Sequence, residues 1–268
     1  MQGLRWRALC PLLLILHAGG EPMGEAITKT LAHSLERLDA LLHRDVNTDM
    51  IRRLLRLFGR DAAVFFVDGM CSGEFLQRFV LDPARAVAEA STTRPLDQAV
   101  ILALPVGDVS FVTDFDTLVQ GIVNGKAAVL VEGMAGAVCV DIRFFLRRSI
   151  STPLNENVVM GPHEGFNETL RDNITLLRRI FHTPDLIGEM TTVGTVSPVN
   201  LCVLYLQKAV SPVSLQRIRE RLKGIRCDHV LSIGALEQLL EDHPFSMLPQ
   251  CVLTERPDRA ASFLLEGQ

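Results

Sequence analysis

The alternation of hydrophobic and polar residues predicts a chain of amphipathic helices and short strands. Between residues 27 and 42, isoleucine and leucines recur every three or four positions, which is the spacing of one buried helix face. The same spacing predicts a second helix from Met50 to Phe58, ended by Gly59, with its arginines in solvent. Residues 63–67 are instead a β-branched and aromatic run, followed by a helical pattern over residues 75–81. A strand that leads through a turn into a helix indicates an α/β fold.

A second group of elements follows further along the chain. Strands are predicted at residues 109–112, 127–131 and 137–142, with an amphipathic helix over residues 115–123. The tight, glycine-bounded connection at residues 133–136 predicts that the last two strands form a hairpin.

A change of composition after Arg148 marks a boundary between two lobes. Residues 149–161 are polar and contain Pro153, as expected for a connection between compact units. We therefore divide the chain into four segments. Residues 1–22 are a leader or a mis-assigned start, and residues 23–148 form a first α/β lobe. Residues 149–166 are an interlobe joint, and residues 167–268 form a second α/β lobe.

The leader has features of a signal peptide, with basic residues, an apolar run and small residues in order. Pro11 interrupts the run, so we favour Met23 as the true start. Neither this run nor any other stretch reaches the roughly 20 apolar residues that span a bilayer. We therefore expect the chain as given to be soluble.

The joint leads into a helix predicted over residues 167–181, with Asn167 as its cap and its arginines facing outward. The glycine-bracketed turn before it could bind an anion at the helix N-terminus. We favour a plain mechanical joint, because such a turn needs no ligand. A pairing of Glu255 and Arg256 across the lobes is a further hypothesis. The residues assigned to the joint and to interactions are Gly161, Pro162, Glu164, Gly165, Phe166, Arg171, Asn173, Arg178, Glu255 and Arg256.

The sequence also contains an internal repeat. The strand Val64–Val67 and the triplet Leu76–Arg78 recur 139 positions later, at Val203–Leu206 and Leu215–Arg217. Further on, a second set with similar residues recurs with an offset of 142; it pairs Asp116, Ile122, Val123 and Gly125 with Asp258, Leu264, Leu265 and Gly267. The repeat predicts two similar lobes that arose by duplication. Since the first copy continues into a hairpin and the second does not, we expect the second lobe to be incomplete at its C-terminus, in a fragment of a longer product.

Composition argues against several classes of function. The 27 basic and 31 acidic residues give a net charge of −4, so nucleic acid is not an expected partner. The six cysteines occur singly, which favours reduced thiols over disulfides or a metal site. Motifs for nucleophilic, metal-dependent or nucleotide-dependent catalysis are missing, so we expect neither a cofactor nor an enzyme.

Two long blocks carry a resemblance to a known family. Residues 157–179, which open with Asn157–Phe166, and residues 237–267 are similar to blocks of the spore germination receptor A-subunit family (GerA type). Met160 and His163 depart from the family pattern, since members of the family more often have basic residues at these two positions. The resemblance implies a cytosol-facing domain of a nutrient receptor in the spore inner membrane.

The resemblance also implies partners, namely a transporter-like B-subunit and a lipoprotein C-subunit, with self-association as a further option. Contact with the membrane would come only through segments that the family carries after this region. Two alternatives stay open: a freestanding two-lobed module that binds a small molecule between its lobes, and an enzyme.

Overall fold

The structure, a computed structural model, describes residues 24–143, 164–230, 232–241 and 250–267. Its helices are α1 Leu31–Leu41, α2 Gly73–Leu76, α3 Asp82–Ala86, α4 Leu96–Ala103, α5 Phe115–Val123, α6 Leu170–Ile180, α7 Pro212–Gly224, α8 Ile233–Leu240 and α9 Pro257–Leu265. A π-helical turn, Gln77–Leu81, joins α2 to α3. The strands are β1 Met50–Leu57, β2 Arg60–Val67, β3 Val109–Val112, β4 Ala127–Val131, β5 Ala137–Val140, β6 Leu186–Val193 and β7 Val199–Leu206.

The first half of the chain is built on a five-stranded sheet with the order β1-β2-β4-β5-β3. All of its strand pairs are antiparallel, and β4 is buried along its full length. One face packs on α1 and α5, through buried residues such as Leu38 and Phe115. The other face packs on the segment from α2 to α4, through residues such as Val80 and Val100. The fold therefore combines helices with antiparallel sheet in three layers.

The helix predicted from Met50 to Phe58 is wrong, because these residues form strand β1. They pair with β2 along eight positions, from Met50 opposite Val67 to Leu57 opposite Arg60. Phe58 and Gly59 both have positive φ, at 52° and 71°, which is the geometry of a two-residue hairpin turn. Hairpin pairing has thus overridden a helical hydrophobic spacing, and it leaves Leu54 67% exposed.

The second half is smaller and contains the antiparallel pair β6-β7. One face of this pair packs on α6 and α9, through Leu186, Leu206 and Ala261. The opposite face packs on α7, through Ile187 and Leu215.

Most of the other predicted elements are confirmed. The strands at residues 63–67, 109–112, 127–131 and 137–142 correspond to β2, β3, β4 and β5, and β4 pairs with β5 as a hairpin. Strand β6 was not predicted. In the part of the chain that the structure describes, no helix is both long enough and apolar enough to cross a membrane.

Candidate functional site

A buried arginine joins the two halves of the described chain. Arg178 of α6 is 0% exposed. Its Nε donates to Asp49 Oδ2 at 2.8 Å, and its Nη2 donates to Asp49 Oδ1 at 2.7 Å. This is the two-pronged geometry in which an arginine binds a carboxylate most specifically. The loop between α1 and β1 is thereby fixed against helix α6.

Asn47 completes the same network with its side-chain amide. Its Oδ1 accepts hydrogen bonds from Arg178 Nη2 at 2.9 Å and from the Gly188 amide at 3.0 Å. Its Nδ2 donates to the carbonyls of Leu42 and Leu186, both at 3.3 Å. All four hydrogen-bonding positions of this amide are therefore used. Because its partners come from the C-cap of α1, from α6 and from β6, Asn47 ties three elements together.

The backbone beside Asn47 extends this contact to the edge of β6. The Thr48 amide and hydroxyl both donate to the Gly188 carbonyl, at 3.0 and 2.8 Å. The Asp68 amide, at the end of β2, donates to the Asp49 carbonyl at 2.8 Å. The loop 47–49 thus bridges the first sheet and the second.

A second contact between the halves lies on the turn after β2. Gly69 has φ +85°, and a Cβ built on it would lie 2.4 Å from Thr175 Oγ1 of α6. Next to it, Arg171 Nη2 lies 2.9 Å from Asp68 Oδ2 in a more exposed ion pair. Helix α6 therefore meets the first half at both a buried and an exposed ion pair.

The structure also places the remaining predicted joint residues. The Phe166 amide donates to the Glu255 carbonyl at 2.8 Å, and the Phe166 side chain packs against the core of the second half. Arg256 is ion-paired with Asp258, which lowers the pKa of that carboxyl. Asn173 bonds to the backbone N–H and C=O of Asn167, at 2.8 and 2.6 Å. These contacts fasten residues 166–167 to α6 and to the start of α9.

Three further predictions concern this region. Asn167 is not the N-cap of α6, because Thr169 holds that position; Asn167 Oδ1 instead accepts from the Thr169 amide at 2.7 Å. Glu164 lies 3.6 Å from Arg179 of the same helix in an ion pair, and Gly165 follows it half-buried. Gly161 and Pro162 lie outside the described residues.

The outward orientation predicted for Arg178 is wrong. Arg178 follows Ile174 by four positions and therefore lies on the same helix face, which is the buried one. This spacing was a signal that could have shown its burial. Its partners Asn47 and Asp49 were missed, since they lie about 130 residues away and carry no local motif.

A smaller polar cluster lies on the other side of β6-β7. Arg219 Nε donates to Glu189 Oε2 at 2.9 Å, and this hydrogen bond holds the pKa of Glu189 below its usual range. The Tyr205 hydroxyl donates to Glu189 Oε1 at 2.5 Å. Burial, together with the Glu189 carboxylate, raises the pKa of Tyr205 to about 12. The cluster fixes α7 on the sheet, and its hydroxyl is a poor acid.

Several cysteine thiols lie in the described part of the chain. The thiols of Cys71, Cys139, Cys202, Cys227 and Cys251 are free. Burial raises the pKa of the Cys139 thiol to about 11 and that of the Cys202 thiol to about 12, which makes both poor nucleophiles. Within the described ranges, no group of three or more His, Cys, Asp or Glu side chains could hold a metal ion.

Comparison with known proteins places these features in a family. The sequence profile described as Bacillus/Clostridium GerA spore germination protein matches residues 36–268. Spore germination protein B1 of Bacillus subtilis is 33% identical over 208 residues, which cover 77% of this chain and 43% of that protein. Spore germination protein KA of the same organism is 29% identical over 225 residues, covering 83% of this chain and 41% of that protein. The chain thus spans less than half the length of these two relatives.

The fold also matches a solved structure. The crystal structure of the N-terminal domain of the A subunit of the Bacillus megaterium spore germinant receptor GerK3 is similar, with a TM-score of 0.67 and 23% identity over 91% of both chains. At this identity the likeness shows the fold alone. The profile match extends over most of the chain, and the chain therefore belongs to the GerA family of spore germination proteins.

Proposed function

We propose that this chain forms the cytosol-facing domain of a germinant-receptor A-subunit and takes part in spore germination through contacts with other subunits in the spore inner membrane. The observation that carries the proposal is the family match over residues 36–268. The fold likeness to the A-subunit domain of GerK3 supports it. The partners are a transporter-like B-subunit and a lipoprotein C-subunit.

The two halves of the domain derive, in this proposal, from an internal duplication. In each half a helix of eleven residues precedes an eight-residue antiparallel pair, as α1 precedes β1-β2 and α6 precedes β6-β7. Each half also contains a nine-residue helix packed on that sheet, α5 in the first and α9 in the second. Residues 149–166 are the joint between the halves.

The interaction surface is proposed to lie on helix α6 and the joint that leads into it. Arg171, at 66% side-chain exposure, and Arg179, at 40%, present two cations beside Glu164 and Asp68. A surface that carries both charge signs suits a specific polar contact with another subunit. The path of the joint would be set by Gly161, Pro162, Gly165 and Phe166. The joint would be held in place by Asn173, Glu255 and Arg256.

A chimaeric receptor protein tests the proposal in intact spores. The segment of Bacillus subtilis spore germination protein B1 that matches this chain is replaced by residues 24–268, which keep helix α1 whole, and germination is followed as the fall in optical density of a spore suspension. We expect nutrient-triggered germination to be retained at a measurable rate. Germination no faster than in spores without the protein, despite normal abundance of the chimaera, would contradict the proposal.

Matched variants of the chimaera test the surface. Arg171→Glu should slow germination and weaken recovery of the other subunits with the chimaera, while its stability changes little because the Asp68 pair is exposed. Arg226→Glu is the control, since Arg226 is also exposed but lies after α7, away from the joint. If the two substitutions had equal effects on germination, α6 would not be part of the interaction surface.

A further inference from the structure

The outer edge of strand β1 presents backbone groups that no described strand uses. Strand β1 ends the five-stranded sheet and lies within the continuous described stretch 24–143. The Asp68 amide donates to the Asp49 carbonyl at 2.8 Å, one step before the first pair of the β1-β2 register. Bonded pairs alternate along an antiparallel ladder. The amides and carbonyls of Arg52, Leu54 and Arg56 therefore point away from β2, toward the open edge.

The side chains along this edge are cationic. Strand β1, with the sequence MIRRLLRL, carries three arginines and no acidic residue. Arg53 is exposed and forms no ion pair with any described residue. Arg56 is 54% exposed, and its partners Asp61 and Glu89 are more exposed still. Water screens such pairs, so a carboxylate from another molecule can replace either partner at little cost.

An exposed leucine lies between two of these arginines. Side chains alternate between the faces of a strand, so Leu54 shares its face with Arg52 and Arg56. The side chain of Leu54 is among the most exposed apolar ones of the described chain. An added strand would cover it and remove apolar surface from water. The edge thus offers backbone groups, positive charge and an apolar contact together.

The charge on this edge selects the kind of strand that can pair with it. Charged side chains protect natural edge strands from indiscriminate pairing. Two copies of β1 paired edge to edge would bring arginines against arginines, and like charges opposite each other destabilise a pair. A strand that carries carboxylates meets no such repulsion. The arginines of β1 therefore reject a second copy of this edge and favour an acidic partner.

We propose that β1 accepts an extended acidic segment of a partner protein as an added strand. The open amides and carbonyls of Arg52, Leu54 and Arg56 would supply the main-chain hydrogen bonds, as in other cases of strand addition. Carboxylates of the segment would pair with Arg53 and Arg56, and an apolar residue would cover Leu54. This inference goes beyond the proposed function and does not depend on it.

Binding of a labelled acidic peptide to the purified full chain tests the proposal. The probe is Thr-Glu-Glu-Val-Glu-Glu-Thr, whose side-chain pattern is the same in both strand orientations, and the control replaces each glutamate with lysine. Fluorescence anisotropy should show saturable binding of the acidic peptide and none of the lysine peptide. A chain that binds neither peptide, or both equally, would overturn the proposal.

Hydrogen exchange locates the contact. The acidic peptide should slow amide exchange at Arg52, Leu54 and Arg56, and binding without this protection would overturn the proposal. If these amides were already protected before the peptide is added, the edge would be occupied by another segment of this chain. Protection that appeared only as the chain concentration rises would instead indicate a second copy. Either result would contradict an acidic partner strand at this edge.

Two matched charge reversals separate a local contact from general attraction. Arg53→Glu should raise the dissociation constant of the acidic peptide about fivefold or more, because a carboxylate then faces the glutamates of the probe. Arg94→Glu is the control, since Arg94 is also exposed but lies before α4, which packs on β5 rather than on β1. It should leave the dissociation constant nearly unchanged. Equal weakening by both substitutions would show attraction by overall charge alone and would overturn the proposal.

A proline substitution tests the backbone contribution. Leu54→Pro removes the outward amide and no hydrogen bond to β2, a position where edge strands tolerate proline. We expect the acidic peptide to lose its binding while the far-ultraviolet circular dichroism of the chain is unchanged. Leu54→Ala is the matched control, because it removes the side chain and keeps the amide, so it should weaken binding only in part. A folded Leu54→Pro variant that binds as tightly as Leu54→Ala would contradict strand addition.

Discussion

The guanidinium of Arg178 and the carboxylate of Asp49 form a two-pronged, buried ion pair between residues separated by 129 positions in sequence. The exposed fraction of the Arg178 side chain is 1% and that of Asp49 is 10%, so water screens this pair very little. Burial of such a pair adds little net stability, but the removal of one partner leaves the other charge without compensation. We infer that the pair fixes one arrangement of the two halves.

Arg178→Met should destabilise the chain strongly. The substitution leaves the Asp49 carboxylate buried and removes a donor from Asn47, so we expect a loss of about 3–5 kcal/mol in the free energy of unfolding. The double variant Asp49→Leu/Arg178→Met should recover most of this loss, because neither charge then remains. Urea denaturation of the three proteins measures the difference.

The exposed ion pair nearby provides the control for this experiment. Asp68→Ala removes the partner of Arg171, whose side chain is 66% exposed, and should change the free energy of unfolding by less than about 1 kcal/mol. If Arg178→Met were no more destabilising than Asp68→Ala, the buried pair would not hold the halves together.

The Glu189–Arg219 pair predicts a dependence of stability on pH. Because its pKa is lower in the folded chain, Glu189 stabilises the fold fully above its ordinary pKa of about 4.3, and this contribution is lost as pH falls through the lower folded value. Glu189→Gln should therefore lower the unfolding free energy at about pH 6, with the difference shrinking towards about pH 3. Glu220→Gln, at an exposed position of α7, should show no such change. A difference that stayed constant with pH would contradict the assignment.

Local patterns predicted much of the fold, but the junction between the halves could not be found from them. Helix α5 was predicted correctly because its apolar residues recur with the helical period, and strand β4 because it is a continuous apolar run of five residues. Strand β1 was predicted as a helix because the positions of its leucines fit both the helical period and the strand period. Only its pairing with β2 decides between the two structures. Asn47 and Asp49 lie in a loop, and their role depends on α6, which no local signal reveals.

The free thiols should differ in their rate of alkylation. Burial raises the pKa of the Cys71 thiol to about 12 and that of the Cys139 thiol to about 11, so very little reactive thiolate is present at neutral pH. Both should react with a maleimide at least about tenfold more slowly than the half-buried Cys227, and the difference should vanish in denaturant. Peptide mapping of a time course by mass spectrometry measures the rates. Equal rates in the native chain would show that the surroundings of Cys71 and Cys139 do not suppress their thiolates.

Gly69→Ala tests the contact between the turn after β2 and helix α6. Gly69 has φ +85°, and an added Cβ would lie 2.4 Å from Thr175 Oγ1, so the substitution meets both backbone strain and a steric clash. We expect the free energy of unfolding to fall by about 1–3 kcal/mol, measured by urea denaturation. Adding Thr175→Ala should return the part of the loss that comes from the clash with the Thr175 hydroxyl and leave the part due to φ. Gly73→Ala is the control, because a Cβ there meets no atom within 4 Å at the start of α2. If the two alanine substitutions were equally tolerated, the turn would not be packed against α6.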